Sequence, residues 1–555
     1  MTAFLLRAYA LHIRGSLDYD ETYYYILGRN LFTGKGYTLN GLPHTAFPPL
    51  YPIFVGLTSL FTSSVALATS LISAVAGALL PLPVYFLAKN VFNGRGPRPG
   101  AAPALVAAAL AAVWPALYFF ADRKVAYSLR MYAGSEPLFG TLFVTGILFL
   151  WLAARRESLA YAAAAGATLG LSVLARNEAT VMFGFLVLWF ALDRVILSGL
   201  PKLHRALQTI IVVATFAAAV SPLVIYVHSA TGSASVGSKL TNLVRTRPTL
   251  WRWIQDGDAR DYVAVHNALN ADATEMADDY WGASPLGRPD GSTSNIAAAV
   301  SLVTSPDFRW LGVLWRIFTG GPVPLVPGFL WPFVILGLVL PPWNGRWWSW
   351  TLLIATVALV LLLQAIAVYA IARLQLPILP LLAVAAARGL DAVARAAAFV
   401  SGILTRRLAV EPLVHAAFIA AVAVALAHRG VELNRVMPMS NYSAGAISSN
   451  PSDRELSRIL AAELPPGSSL MSNKPWIALL AGLDWRVCPS ADDARLLTYA
   501  SARKIDFAVL GLWQTPMPAP GTPLYPYFVR TITVKSGERA LLFDFRPAWS
   551  GGRAQ

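Results

Sequence analysis

The sequence predicts an all-α polytopic membrane protein of about eleven transmembrane helices, with a small α/β domain at its C-terminal end. Three observations predict this class. Of 555 residues, 56% are hydrophobic and only 13% charged, where a soluble domain carries about a quarter charged residues. Several apolar runs approach or exceed the roughly 18 residues that mark a spanning helix. Beyond residue 430 the long apolar runs give way to short segments of mixed pattern.

The apolar runs place spans near 1–13, 65–88, 101–121, 135–154, 158–175, 179–199, 206–229, 323–341, 347–370, 374–393 and 410–428. The first, "MTAFLLRAYALHI", is short and carries Arg7 mid-run, so it reads as a short or incomplete helix rather than a cleavable signal. Basic loops fall between alternate spans: "KNVFNGRGPRPG", "ARRES", "DRVILSGLPKLHR", "NGR" and the Arg388–Arg407 region. The positive-inside rule makes these cytoplasmic. The net charge of +15 therefore reports topology and does not point to a nucleic-acid partner. The remaining loops and the C-terminus then face outward in an inner or plasma membrane. The single cysteine, Cys488, excludes an intramolecular disulfide and any multi-cysteine metal site.

The domain boundaries follow. Residues 1–429 form the membrane module, with a first outer loop at 14–64 and a long outer loop at 230–322; residues 430–555 form an extracytoplasmic domain. Within loop one, 48–61 reads as an interfacial or re-entrant helix, because a full crossing there would invert the charge pattern downstream. In the tail, "DRELSRILAAEL" and "SADDARLLTYASARK" read as helices. "IDFAVLGL", "YFVRTITV" and "RALLFDF" read as strands, the last two joined by a hairpin turn at "KSG".

Loop one holds the most informative stretch, "SLDYDETYYYILGRN". Asp18 suits a helix N-cap with Glu21 three residues on, and the helix should run through "TYYYILGRNLF" to Gly34 or Gly36. That leaves Asp20 without a capping duty. A first-turn carboxylate gains about 0.3–1 kcal/mol from the helix dipole. The same field favours the ionised form that a general base requires. After a glycine-containing connector comes "PPLYP" (Pro48–Pro52), where two prolines brace the loop and forbid helix through that point.

The order of acidic pair, aromatic helix, G-x-G connector and Pro-Pro turn resembles the GT-C glycosyltransferases of the protein O-mannosyltransferase and lipid A aminoarabinose transferase superfamily. The resemblance rests on "DETYYYILGRNLFTGKGY", "FPPLYP", "SEPLFGTLF", "GLSVLARNEA" and "ARLQLPILP". It implies a polyprenyl-phosphate monosaccharide donor and inversion at the anomeric carbon. It also implies that Asp20 is the base with Glu21 as its neighbour, that Glu136 is a substrate-binding acid, and that Arg373 is a cation on the donor phosphate. One departure matters. Aminoarabinose transferases carry Glu-Lys directly before the Pro-Pro, whereas Ala46-Phe47 stand here, which argues against that particular activity.

Other residues keep two readings. Arg373 can grip phosphate with its planar fork or simply snorkel to the interface. Lys124 and Arg130 lie outside against the positive-inside tendency, as phosphate contacts or as solvated loop charge. Glu136 can orient an acceptor hydroxyl or sugar, or serve as an interfacial cap. His44 can move a proton or be incidental to the loop. Arg176 and Glu178 read as a mutual pair. The tryptophans of the long outer loop can stack sugars or anchor at the interface. "DGDARD" (Asp256, Asp258, Asp261) lacks the twelve-residue calcium-loop pattern. No cofactor follows from the sequence, and metal dependence is open. The partners implied are the lipid-linked donor, membrane lipids, and a protein, lipid or glycan acceptor.

The other function classes are a transporter or flippase of lipid-linked sugars, and a noncatalytic sugar-binding assembly subunit. A transporter predicts ionisable residues at mid-depth of several spans and often an internal repeat. Here the outer ends carry the charge, and no repeat is found.

Overall fold

A computed structural model describes residues 19–62, 64–92, 101–114, 119–122, 128–131, 134–197, 201–232, 325–340, 345–367, 372–405, 451–488, 493–511 and 517–550, with scattered positions in 3–7, 117, 234–237 and 416–428. It is mostly helical and divides into two compact units. One comprises 1–14, 70–225 and 296–441; the other comprises 15–69, 226–295 and 442–555.

The second unit begins with helix α1 (Tyr19–Phe32), a hairpin of β1 (Thr38–Leu39) and β2 (Leu42–Pro43), and helix α2 (Leu50–Ser59). α1 ends just short of Gly34 and Gly36, which take φ of +82° and +73°; this left-handed backbone costs glycine little. α2 starts immediately after Pro49, its N-cap. Ten residues span only about 15 Å, so α2 is too short to cross a bilayer. The two helices meet at two glycines. A methyl on Gly56 would lie 2.5 Å from the Gly28 carbonyl oxygen and 2.6 Å from the Phe32 ring. Gly56→Ala is therefore expected to cost about 1–3 kcal/mol by overpacking, read as a lower thermal midpoint of the detergent-purified protein. Gly140→Ala, where an added methyl meets nothing within 4 Å, should leave the midpoint unchanged or raise it. An unchanged midpoint for Gly56→Ala would contradict the close crossing.

The first unit holds the apolar helices: α3 (Val65–Leu79, straddling the unit boundary), α4 (Pro81–Phe92), α5 (Ala101–Val113), a strand pair β3 (Phe119–Asp122) and β4 (Ser128–Met131), α6 (Glu136–Arg156), α7 (Leu159–Ala175), α8 (Ala179–Leu197), α9 (Lys202–Thr231, its last six residues in the second unit), α10 (Trp331–Val339), α11 (Gly345–Ala367) and α12 (Leu379–Thr405). Among the described residues, four helical stretches are long and apolar enough to cross a membrane: Leu67–Phe92, Glu136–Arg156, Leu203–Ala230 and Gln375–Ala397. The stretch expected as one span over 101–121 is different. Its helix stops at Val113, before Pro115, and its aromatic end pairs as antiparallel strand with 128–131. Proline removes the amide that the helix would need there. Of the segments 1–13 and 410–428, too few residues are described to test those spans.

One core of this unit is built on tryptophan. Trp151 stacks on Trp189 at 6.3 Å and meets Trp350 edge-on at 5.9 Å; all three are essentially fully buried. Beside them Arg155 pairs with the buried Asp193 at 2.8 Å and lies 4.7 Å over the Trp151 ring. Ser349 also donates a hydrogen bond to Asp193.

The rest of the second unit is a layered α/β fold: α13 (Pro451–Glu463), β5 (Ser469–Ser472), α14 (Pro475–Leu480), β6 (Asp484–Val487), α15 (Asp493–Ala502), β7 (Phe507–Gly511), β8 (Phe528–Thr533), β9 (Arg539–Asp544) and α16 (Arg546–Ser550). The sheet order is β6-β5-β7-β9-β8, parallel from β6 to β7 and antiparallel beyond. Gly537 (φ +83°) closes the β8–β9 turn. Met471, Tyr499, Leu541 and Phe543 form its core. Asp453, almost wholly buried, joins α13 to α14 by accepting from Lys474 at 2.8 Å and from the Trp476 indole at 3.0 Å.

Candidate active site

The acids stand in the first turn of α1: Asp20 is half-buried and Glu21 only 5% exposed. Asp18, the expected N-cap, lies outside the described residues. The aromatic run behind the acids is a packing surface. Tyr23, Tyr24 and Tyr25 are all buried. Tyr24 meets Phe47 at 5.3 Å and Tyr51 at 5.0 Å, both edge-on, so the Pro-Pro turn is set against the acid-bearing helix.

The connector between them is tightly wired. Asn40 (φ +56°) and Gly41 (φ +76°) form a two-residue turn with both positions left-handed, a combination that favours Asn-Gly. The Asn30 side chain donates to the Thr38 carbonyl at 2.9 Å, and the Tyr226 hydroxyl donates to the Tyr37 carbonyl at 2.9 Å. The Tyr37 hydroxyl donates to the Phe47 carbonyl at 2.9 Å; burial raises its pKa well above the ordinary tyrosine value, so it keeps its proton. His44 is fully buried within this loop. Its Nε2 accepts the Phe47 amide at 2.9 Å and its ring stacks on Phe47 at 5.1 Å. That bond requires an unprotonated Nε2.

The first unit carries the other charged group. Glu136 opens α6 and is 8% exposed. Its Oε1 lies 2.6 Å from Arg176 Nη1, while Arg176 Nη2 reaches Glu178 at 2.9 Å. Arg176, at the C-cap of α7, thus bridges two carboxylates; the pairing with Glu178 was expected from the sequence, and the bridge to Glu136 was missed. Glu136 also borders a small cleft shared with Gly140, Leu376, Pro377 and Pro380. The structure therefore brings Glu136 to the segment that carries Arg373. That segment, Ala372–Ile378, is a 3₁₀ helix that gives way to α12 at Leu379, as Pro377 demands by withholding an amide. Arg373 is described here by its backbone alone, as is Arg130 on β4. Lys124, the tryptophans of the long outer loop and Asp256, Asp258 and Asp261 lie outside the described residues. Asp20, Glu21 and His44 belong to the second unit; Glu136, Arg130 and Arg373 belong to the first.

Sequence reasoning also missed Asn40, Tyr499 and Trp485, which tie loop one to the tail. The Asn-Gly pair was the one signal available. Among the described residues, no three His, Cys, Asp or Glu side chains gather in a way that could hold a metal ion.

No protein-family signature matches the chain, and no curated protein matches it in sequence. Solved structures do. The chain resembles the apo Archaeoglobus fulgidus oligosaccharyltransferase with a TM-score of 0.54 and 15% identity, over 97% of this chain and 74% of that one. It resembles ArnT from Cupriavidus metallidurans bound to undecaprenyl phosphate with a TM-score of 0.54 and 14% identity, over 98% of this chain and 96% of that one. The apo form of that ArnT aligns equally, at 0.54 and 13% identity over 99% and 97% of the two chains.

Proposed function

From a chain whose fold is that of the GT-C glycosyltransferases, we propose an integral-membrane glycosyltransferase that inverts the anomeric centre. It moves a monosaccharide from a polyprenyl-phosphate donor to a hydroxyl acceptor at the outer face of the membrane. The observation that carries this reading is the acid-bearing first turn of α1, with Asp20 half-buried on a loop braced by hydrogen bonds and stacked aromatics. The undecaprenyl phosphate bound by the ArnT structure supports the donor class.

In this reaction the acceptor oxygen attacks the anomeric carbon as the carbon–oxygen bond to phosphate breaks. The bond's electrons leave with the polyprenyl phosphate, and the hydroxyl proton passes to the Asp20 carboxylate. The phosphate departs as an anion, so catalysis rests on positioning and on cations that meet the developing charge. Arg373 is assigned to that phosphate, with Lys124 and Arg130 as further cations. Glu136, held by Arg176, is assigned to orient a sugar or acceptor hydroxyl. Glu21 and His44 are assigned to the loop that sets Asp20.

Mass spectrometry of envelope glycans and glycoproteins from a deletion strain tests the function directly. Loss of one sugar, restored by the intact gene, is expected. Unchanged glycans combined with transport of a labelled sugar lipid by the purified protein would replace this reading with a flippase. In transfer by purified protein from a polyprenyl-phosphate sugar, Arg373→Ala should require at least tenfold more donor for equal transfer. An unchanged donor requirement would remove Arg373 from the phosphate site.

A further inference from the structure

We propose that the C-terminal α/β domain positions the catalytic loop through a clamp centred on Asn40. The inference rests on the assignment of Asp20 above and adds a role for residues more than 440 positions away in sequence. The Asn40 side chain is 5% exposed and uses both ends of its amide on the tail. Its Nδ2 donates to the Tyr499 hydroxyl at 3.1 Å, and its Oδ1 accepts the Val487 amide at 2.9 Å. Next to it, Gly41 packs so closely on the Arg486 guanidinium that an added methyl would lie 3.0 Å away. At the start of the loop, Tyr23 packs on Trp485 at 5.4 Å. Lys35 reaches Asp484 at 2.8 Å, though both are substantially exposed, and exposed pairs contribute little.

These contacts converge on one edge of the tail sheet. Asp484, Trp485, Arg486 and Val487 are the four residues of β6, the edge strand. Trp485 is itself fixed, its indole donating to the Ser472 carbonyl on β5 at 2.8 Å. Tyr23 sits three residues beyond Asp20 on α1, so the two share a helix face. A ring fixed by the tail at Tyr23 thus limits the rotation of the helix that aims the Asp20 carboxylate. The tail closes the loop at two points, the acid helix and the hairpin tip. Asn40 is a positioning residue: it acts on the base through the loop and the helix.

The left-handed backbone at Asn40 allows a clean test. Asn40→Gly keeps a residue at ease with φ +56° and removes both amide contacts. Asn40→Asp restores an acceptor for the Val487 amide and for the Tyr499 hydroxyl proton. Hydrogen exchange of the full-length protein in nanodiscs, read by mass spectrometry, should show at least tenfold faster exchange over 19–32 in Asn40→Gly. Exchange over 136–156 and 539–544 should not change. Complementation of the deletion strain should show at least tenfold less sugar transfer per unit of inserted protein, and Asn40→Asp should return both readouts towards the wild type. Wild-type exchange over 19–32 in Asn40→Gly would overturn the clamp. Accelerated exchange with full transfer, while Asp20→Asn is inactive, would overturn the positioning role. Full transfer in Asp20→Asn would instead overturn the catalytic assignment and leave the clamp standing on its exchange data.

Discussion

Asp20→Asn is expected to lower sugar transfer by about 10²–10⁴-fold, the range that one general base supplies, in a protein that still folds and inserts. The substitution keeps the shape of the side chain and removes its charge and basicity. The helix-dipole part of its structural cost is small, about 0.3–1 kcal/mol for a first-turn carboxylate. Glu21→Gln provides the contrast, since Glu21 is 5% exposed whereas Asp20 is half-buried. Its effect should fall mainly on the stability of loop one. The measurement is transfer by purified protein from a polyprenyl-phosphate sugar, with thermal unfolding alongside. Undiminished turnover in Asp20→Asn would refute the catalytic assignment.

Arg176→Met has the largest expected effect on stability, about 3–5 kcal/mol, the cost of breaking a buried ion pair by removing one member. Here one guanidinium serves two acids, Glu136 at 2.6 Å and Glu178 at 2.9 Å, and both Arg176 and Glu136 are over nine-tenths buried. Methionine preserves the apolar stem, so lost packing is a minor part of the change. The double variant Arg176→Met with Glu136→Gln should recover much of the loss, since it neutralises the acid that faced Arg176. Thermal or denaturant unfolding in detergent checks both. A single variant as stable as the wild type would show that Arg176 does not hold Glu136. Glu136 borders the cleft at Pro377 and Pro380, so Arg176→Met should also reduce transfer under conditions where the protein remains folded.

The local elements were legible because their causes are local. Tyr19–Phe32 is helical and stops before Gly34 and Gly36, and Leu50–Ser59 falls within the stretch 48–61 expected as an interfacial or re-entrant helix. The apolar helices from Glu136 to Thr231 follow the hydrophobic runs within a few residues. Other elements were hidden for equally local reasons. β5 and β6 are four residues each, and β5 is buried along its whole length, so it shows no alternation to read. β1 and β2 are two residues each, too short for any periodic signal.

By itself, the sequence determined the apolar helical class, the place of the acids at the head of a helix, and the Pro-Pro turn that follows them. These depend on hydropathy, proline and glycine, and each acts within a few residues of itself. Tertiary structure alone decided which distant groups meet: Arg176 with Glu136 across 40 positions, and Asn40 with Tyr499 across 459. Such partners are selected by packing and by the need to satisfy buried polar groups, and nothing in the sequence near either residue specifies the other.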